Sequence, residues 1–149
     1  MKLFRIDGSL IIDNPEIDNL KELVEYCVRV GISLQYANMQ GANMRGADLR
    51  NANMRNAYMQ CANMQYANMR YANMQCANMQ YANMQYANMR YVDLQDADLF
   101  NADLFNADLF NANLQDANLQ DANMQYANLQ YANMYHADLR GANMRDADF

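Results

Sequence analysis

From Ile32 to Phe149 the apolar positions alternate at spacings of two and three residues, without an insertion. The five-residue unit reads Ala, then Asn or Asp (Ser33 and Tyr58 are the departures), then Met or Leu, then two variable residues, as in Ala37-Asn38-Met39-Gln40-Gly41 and Ala97-Asp98-Leu99-Phe100-Asn101. With Leu34, Met39, Met44 and so on as unit centres, every centre is Met or Leu until Phe149. Two residues before each centre stands Ala, with Ile32 and Val92 the exceptions. A spacing of two puts side chains on one side of an extended strand. The break at every fifth residue rules out a continuing flat strand. A helix fails as well, since five residues advance about 140° past a full turn and smear the apolar stripe around the axis.

The pattern is met by a short extended piece followed by a bend, repeated along the chain. Small Ala and long Met or Leu then face inward, and the other three residues face outward. Repeated bends wind the chain into coils stacked at about 4.8 Å, which is the arrangement of a solenoid. The Asn or Asp before each centre suits a bend, because its side chain bonds nearby backbone groups.

These units resemble those of the pentapeptide repeat family, over about four-fifths of the chain. The resemblance implies an all-β solenoid: a right-handed quadrilateral β-helix with four units and 20 residues per coil, hence about six coils over residues 32–149. The five-residue spacing by itself would also tolerate three units per coil. The family's motif residues are structural, so the resemblance carries over no catalytic, cofactor-binding or metal-binding residues.

Residues 1–31 lie outside the repeat. Lys2 to Ile6 and Ser9 to Ile12 read as two short strands joined at Asp7-Gly8, a hairpin signal. Asn14-Pro15-Glu16 reads as a helix start, with Asn14 as N-cap and Pro15 at the first helical position. Ile17, Leu20, Leu23, Val24, Cys27 and Val28 share one helical face, and Gly31 is placed to end the helix. A solenoid needs its first coil covered, so this segment is expected to be a cap; the alternative is a small docking module for a partner.

The chain carries a formal net charge of −6, which disfavours generic nucleic-acid binding. No apolar stretch approaches a membrane helix, and charge interrupts the first residues too early for a signal peptide. Three cysteines without paired spacing, Cys27, Cys61 and Cys76, point to a reduced, cytoplasmic protein. Charge divides along the repeat. Residues 32–91 hold five Arg and one Asp, while residues 92–149 hold two Arg and ten Asp.

Twenty-residue coils would stack Arg50, Arg70 and Arg90 in one column, with Tyr71 and Tyr91 beside two of them. Like charges so stacked repel, which calls for an anionic partner or for side chains spread into water. Phe100, Phe105 and Phe110 would form an outward belt on three faces of one coil. His136 would stand above Asp116. A metal site needs more converging ligands than that column offers, and Cys61 and Cys76 face outward. The last coil would leave the rims of Met134, Leu139, Met144 and Phe149 open, an edge that invites a second copy and a homodimer joined there.

Catalysis needs groups converging in a pocket. The chain has no Thr, two Ser, one His and no Gly-rich phosphate loop, so the expectation is a non-enzymatic scaffold that binds another protein. The competing reading, drawn from quinolone-resistance members of the family, is a DNA-mimicking modulator of a topoisomerase such as gyrase. The acidic half fits it loosely; the basic first coils and the uninterrupted repeats oppose it.

Overall fold

The computed structural model describes residues 1–149. Its governing contact is a parallel bridge between residues twenty apart, from Asn38 with Tyr58 to Asn128 with Asp148. Four five-residue units therefore complete one coil, which excludes the three-unit alternative.

Each unit bends in the same way. The N–H three residues after a centre donates back to the centre's carbonyl, as Ala42 does to Met39 at 3.1 Å. The third residue of that turn has positive φ, as a type II turn requires. It is Gly at Gly41, Gly46 and Gly141, but elsewhere Asn, Asp, Tyr, Cys or His, with φ between 53° and 62°. The Asn or Asp before the centre accepts from the first turn residue, as Asp98 Oδ1 does from the Phe100 N–H at 3.1 Å. Coils are joined by regular bonds: Met64 N–H to Asn83 O (2.7 Å), Tyr66 N–H to Gln85 O (3.0 Å) and Asn83 N–H to Ala62 O (2.9 Å).

The core is the column of Ala and centre side chains, buried from Leu34 to Leu129 with Val92 in one Ala place. Burying a Met or Leu contributes roughly 1.5–3 kcal/mol, so methionine here is packing material that fills an irregular axis. No polar side chain is buried.

The N-terminal segment holds β1 (Lys2–Phe4), β2 (Leu10–Asp13) and α1 (Leu20–Val30). The strands pair antiparallel, with an irregularity between Leu3 and Phe4. β1 is shorter than the predicted Lys2–Ile6 because the chain leaves the hairpin to meet the first coil, and β2 keeps the predicted length one residue later than Ser9–Ile12. Arg5 bridges Ala37, Phe4 O accepts from Asn38 N–H (2.9 Å), and Ile6 N–H donates to Tyr36 O (3.0 Å). The turn spans Arg5 to Ser9, closed by Arg5 N–H to Ser9 O at 2.8 Å, with Gly8 at φ 83°.

The helix start predicted at Asn14-Pro15 is corrected. Asn14 caps only a single turn, its Oδ1 accepting from Glu16 N–H at 3.0 Å. The helix begins five residues later, where the extended Asn19 accepts from Glu22 N–H at 2.9 Å. Asn19 with Glu22 three residues on is the stronger signal, since it places an acidic side chain inside the first turn as well. Gly31, at φ 77°, ends α1 as predicted, with its own N–H to Val28 O and the Ile32 N–H to Cys27 O, the paired bonds of a Schellman ending. Leu23, Val24 and Cys27 are buried with Leu3 in the same core as the first coil. No helix is long and apolar enough to cross a membrane.

Candidate interaction surfaces

The outward side chains follow the same twenty-residue columns, and most of them are bonded to one another. In one column Gln40 Nε2 donates to Gln60 Oε1 (2.6 Å), Gln60 to Gln80 (3.1 Å), and Gln80 to Asp98 Oδ2 (2.5 Å). In the next, Arg45 donates to Gln65, Gln65 to Gln85 (3.0 Å) and Gln85 to Asp103. Gln75 reaches Asp93 (2.6 Å) and Arg90 reaches Asp108 (3.1 Å) in the other two. From the opposite direction Asn113, Asn118, Asn123 and Asn128 each donate through Nδ2 to the same four carboxylates at 3.0 Å. Four aspartates on one coil thus form a ring of acceptors between Gln75, Gln80, Gln85 and Arg90 on one side and four asparagine amides on the other. A carboxylate, which only accepts, is the group that such a junction requires.

This ring changes the reading of the acidic half. Asp93, Asp98, Asp103 and Asp108 are half-buried and bonded on both sides, so they are not a free anionic face. Asp148 accepts from Gln130 (2.8 Å), Asp138 holds Arg140 (2.6 Å), and Asp146 lies 3.2 Å from Arg145. Gln40, Gln60, Gln65, Gln75, Gln80, Gln85 and Gln130 are likewise bonded between coils rather than neutral surface.

The Arg50, Arg70, Arg90 column exists, and its repulsion is resolved within the chain. Arg50 grips Asp48 with two bonds (2.8 and 2.6 Å), which holds the Asp48 carboxyl below its usual range. Arg70 lies over the Tyr71 and Tyr91 rings (4.7 and 5.6 Å) and donates to the Tyr71 hydroxyl. Arg90 lies 4.2 Å over Phe110 while bonded to Asp108. Arg50 and Arg70 stay exposed to water, and Arg70 does so over tyrosine surface.

The phenylalanines stand on three different columns, as predicted, but half-buried rather than outward. Each lies edge-on to a tyrosine one coil away: Phe100 with Tyr81, Phe105 with Tyr86 and Tyr126, Phe110 with Tyr91 and Tyr131, at 5.3–5.7 Å. Tyr66 stacks on Tyr86 at 5.1 Å and Tyr71 on Tyr91 at 4.9 Å. The belt therefore closes into aromatic seams along the axis, each such pair adding about 0.5–1.5 kcal/mol beyond its area. The sequence reading paired no Phe with a Tyr; stepping 20 residues either way from each tyrosine, with an offset of one, would have found them.

His136 lies 3.4 Å from Asp116 and stacks on Tyr135. No group of three metal-ligating side chains occurs. Cys61 and Cys76 are exposed free thiols, and Cys27 is buried, where burial raises its pKa. A polar groove of about 620 Å³ lies between α1 and the first coil, lined by Glu25, Val28, Arg29, Asp48, Arg50 and Asn51. Its wall is a latch that the sequence did not reveal: Glu25 Oε1 accepts the Asp48 N–H at 2.9 Å. In the body that N–H position donates to an Ala carbonyl of the preceding coil. The glutamate stands in for it.

At the other end, Met134, Leu139 and Met144 are only half-buried, and Phe149 is 64% exposed. Tyr131 at 78% is the most exposed large hydrophobic of the chain.

Comparison with known proteins agrees with this geometry. The family model for pentapeptide repeats matches residues 37–75, 67–106, 77–116, 102–141 and 117–149. Among solved structures, the pentapeptide repeat protein Rfr23 of the cyanobacterium Cyanothece 51142 is 31% identical (62% of this chain, 63% of that one, TM-score 0.61). HetL of Nostoc sp. strain PCC 7120, involved in heterocyst differentiation regulation, is 29% identical (74% and 59%, TM-score 0.52). QnrB1, a plasmid-mediated fluoroquinolone resistance protein, shares the fold at 15% identity (75% and 59%, TM-score 0.65). The chain spans about three-fifths of the length of these solved relatives. It matches no curated protein. Period, turn, core and family model agree: the chain belongs to the pentapeptide repeat family.

Proposed function

We propose that this protein is a non-enzymatic interaction scaffold acting in the cytoplasm. Residues 1–31 serve as its cap, and residues 32–149 form a right-handed β-helix of about six coils. Its partner is another protein. The observation that carries this reading is the contrast between the body and its last coil. Along the body many outward side chains bond one another, while at the last coil Met134, Leu139 and Met144 lose their full burial and Tyr131, Tyr135 and Phe149 are 78%, 63% and 64% exposed. Pairing of two copies through that coil covers these side chains and completes the backbone ladder. Light scattering at tens of micromolar protein is expected to give the mass of two chains, and Phe149→Asp to halve it. A single-chain mass at every concentration overturns the pairing.

The topoisomerase reading has the fold likeness to QnrB1 behind it. Against it stand the basic first coils and the aspartates already engaged in the ring. A supercoiling assay with gyrase is expected to show no inhibition at low micromolar protein, and inhibition there would replace the scaffold reading.

A further inference from the structure

Side-chain bonding in the repeat leaves few charged groups over. Six of its seven arginines touch a carboxylate, an amide or a tyrosine ring. The seventh, Arg55, is exposed, and its guanidinium has no hydrogen bond, ion pair or ring beneath it; only its backbone is bonded, as in Arg55 N–H to Asn53 Oδ1 at 3.4 Å. Among the aspartates of the repeat, Asp96 and Asp121 accept no bond. Asp121 lies in the field of Arg140, on another corner of the solenoid. Asp96 is exposed and shares its corner with Arg55. Asn56 N–H donates to Gln75 O and Cys76 N–H to Gln95 O, both at 2.9 Å, so Arg55-Asn56, Gln75-Cys76 and Gln95-Asp96 stack as successive levels. Cys76, an exposed free thiol, marks the middle level. The free cation lies one coil to one side of it and the free carboxylate one coil to the other, each about 4.8 Å away along the axis. No other corner carries both, since Arg55 is the only arginine of the repeat left over.

We propose that this corner is a surface for a second copy of the chain. The two copies lie antiparallel across it, with the two-fold axis at the level of Cys76, so that Arg55 of each meets Asp96 of the partner subunit. A two-fold contact needs a surface complementary to its own half-turn image. Opposite charges at equal heights on either side of Cys76 meet that condition. The surrounding charges agree with it. Residues 52–91 contain no Asp or Glu, so no carboxylate on the second or third coil repels the incoming one. Asp93 and Asp98 lie on the coil of Asp96 and add to its field, because bonds from Gln75 and Gln80 amides leave their charge in place. One level further out, Asp116 of the partner subunit, held by its own His136, comes to Tyr36. There the hairpin brings Arg5 and Asp7, whose charges offset. Two symmetric, exposed ion pairs make a weak contact, so the pair forms transiently and is read by covalent capture. This contact is separate from the pairing through the last coil and links one such dimer to the next.

The test is capture of the full-length protein, at tens of micromolar, with a short bismaleimide that joins two thiols. The expected product is a dimer joined through Cys76 of both copies, absent in Cys76→Ser and retained in Cys61→Ser. Arg55→Glu is expected to cut its yield at least tenfold by setting like charges together, and Asp96→Lys to do the same. Both side chains are exposed and free of bonds, so the circular dichroism stays unchanged. Arg55→Glu combined with Asp96→Lys is expected to restore the yield, since the pair is then reversed. Arg45→Glu makes the same change in net charge on another corner and is expected to leave the yield as it was. Pairing through the last coil keeps the two Cys76 thiols roughly 30 Å apart or more, with six coils between them, beyond the reach of the reagent. Phe149→Asp, which tests that pairing, is therefore expected to leave this product unchanged, and its loss there would overturn the proposal. So would the absence of a Cys76 dimer, a product joined through Cys61 instead, equal losses with Arg45→Glu and Arg55→Glu, or no recovery in the doubly reversed variant.

Discussion

A tyrosine, cysteine or histidine with positive φ is held against its own preference, at about 1–2 kcal/mol per residue. Eleven of the twenty non-glycine residues with positive φ are of these types, and the other nine are Asn or Asp, which adopt it more readily. Each is fixed by the turn bond beneath it and the inter-coil bond beside it. Sequence reading missed this because composition at that position is so varied; nothing in Tyr66 or Cys61 announces a left-handed backbone. The glycines there are not equivalent. A Cβ at Gly41 would meet nothing within 4 Å, whereas one at Gly141 would lie 2.1 Å from Asp121 Oδ1. Gly141→Ala is therefore expected to lower amide protection in its coil more than Gly41→Ala does in the first, by hydrogen exchange. The aspartate ring yields a sharper contrast. Asp98→Asn sets an amide donor against Gln80, but that ladder is all amide back to Gln40 and can reverse its direction. The ladder ending at Asp103 starts from Arg45, which only donates, and cannot reverse. Asp103→Asn is expected to cost about 1 kcal/mol and Asp98→Asn a few tenths. Equal losses by thermal melting would remove the directional reading.

The repeat units were legible element by element, because a five-residue period with Ala and Met at fixed places admits few windings. The N-terminal elements were legible in kind but not in extent. Asn14-Pro15 and Asp18-Asn19 both carry helix-start chemistry, and Glu22, in the first turn of α1, is what ranks the second above the first. The latch was illegible for a different reason: Glu25 and Asp48 are 23 residues apart with no shared periodicity. Glu25→Ala is expected to raise exchange at the Asp48 amide at least tenfold, while protection beyond the second coil stays unchanged. Loss of the bond contributes about 1 kcal/mol at this exposed site. If exchange at Asp48 stays slow, the helix is held by Leu23, Val24 and Cys27 alone.

For the whole molecule, the division of charge was readable by counting, but its meaning was not. Most carboxylates of the acidic half turn out to be bonded within the body, Asp96 and Asp121 being the exceptions, and only coordinates show which. Three carboxylates of the chain are held below the ordinary carboxylate range: Asp7 by a hydrogen bond from the Ser9 side chain, Asp48 by Arg50, Asp138 by Arg140. A depressed folded-state pKa contributes stability that is present above the unfolded value of about 3.9 and is lost as pH falls through the folded value. The melting temperature is therefore expected to be flat from pH 7 to about 5 and to fall below about pH 4, with Asp48→Asn and Asp138→Asn together making the fall shallower. A melting temperature that rises on acidification would contradict the sign.

The bridges that define the fold join residues twenty apart along the body, so each coil is tied to the coil on either side of it. Pulled from its two ends, such a chain gives way one coil at a time, starting where a coil has a neighbour on only one side. Each event releases 20 residues, about 66–72 Å of contour, less the roughly 4.8 Å that the coil occupied in the stack. Single-molecule stretching should record a ladder of nearly equal steps in place of one rupture. The regularity seen first as a spacing of Ala and Met is then a mechanical period.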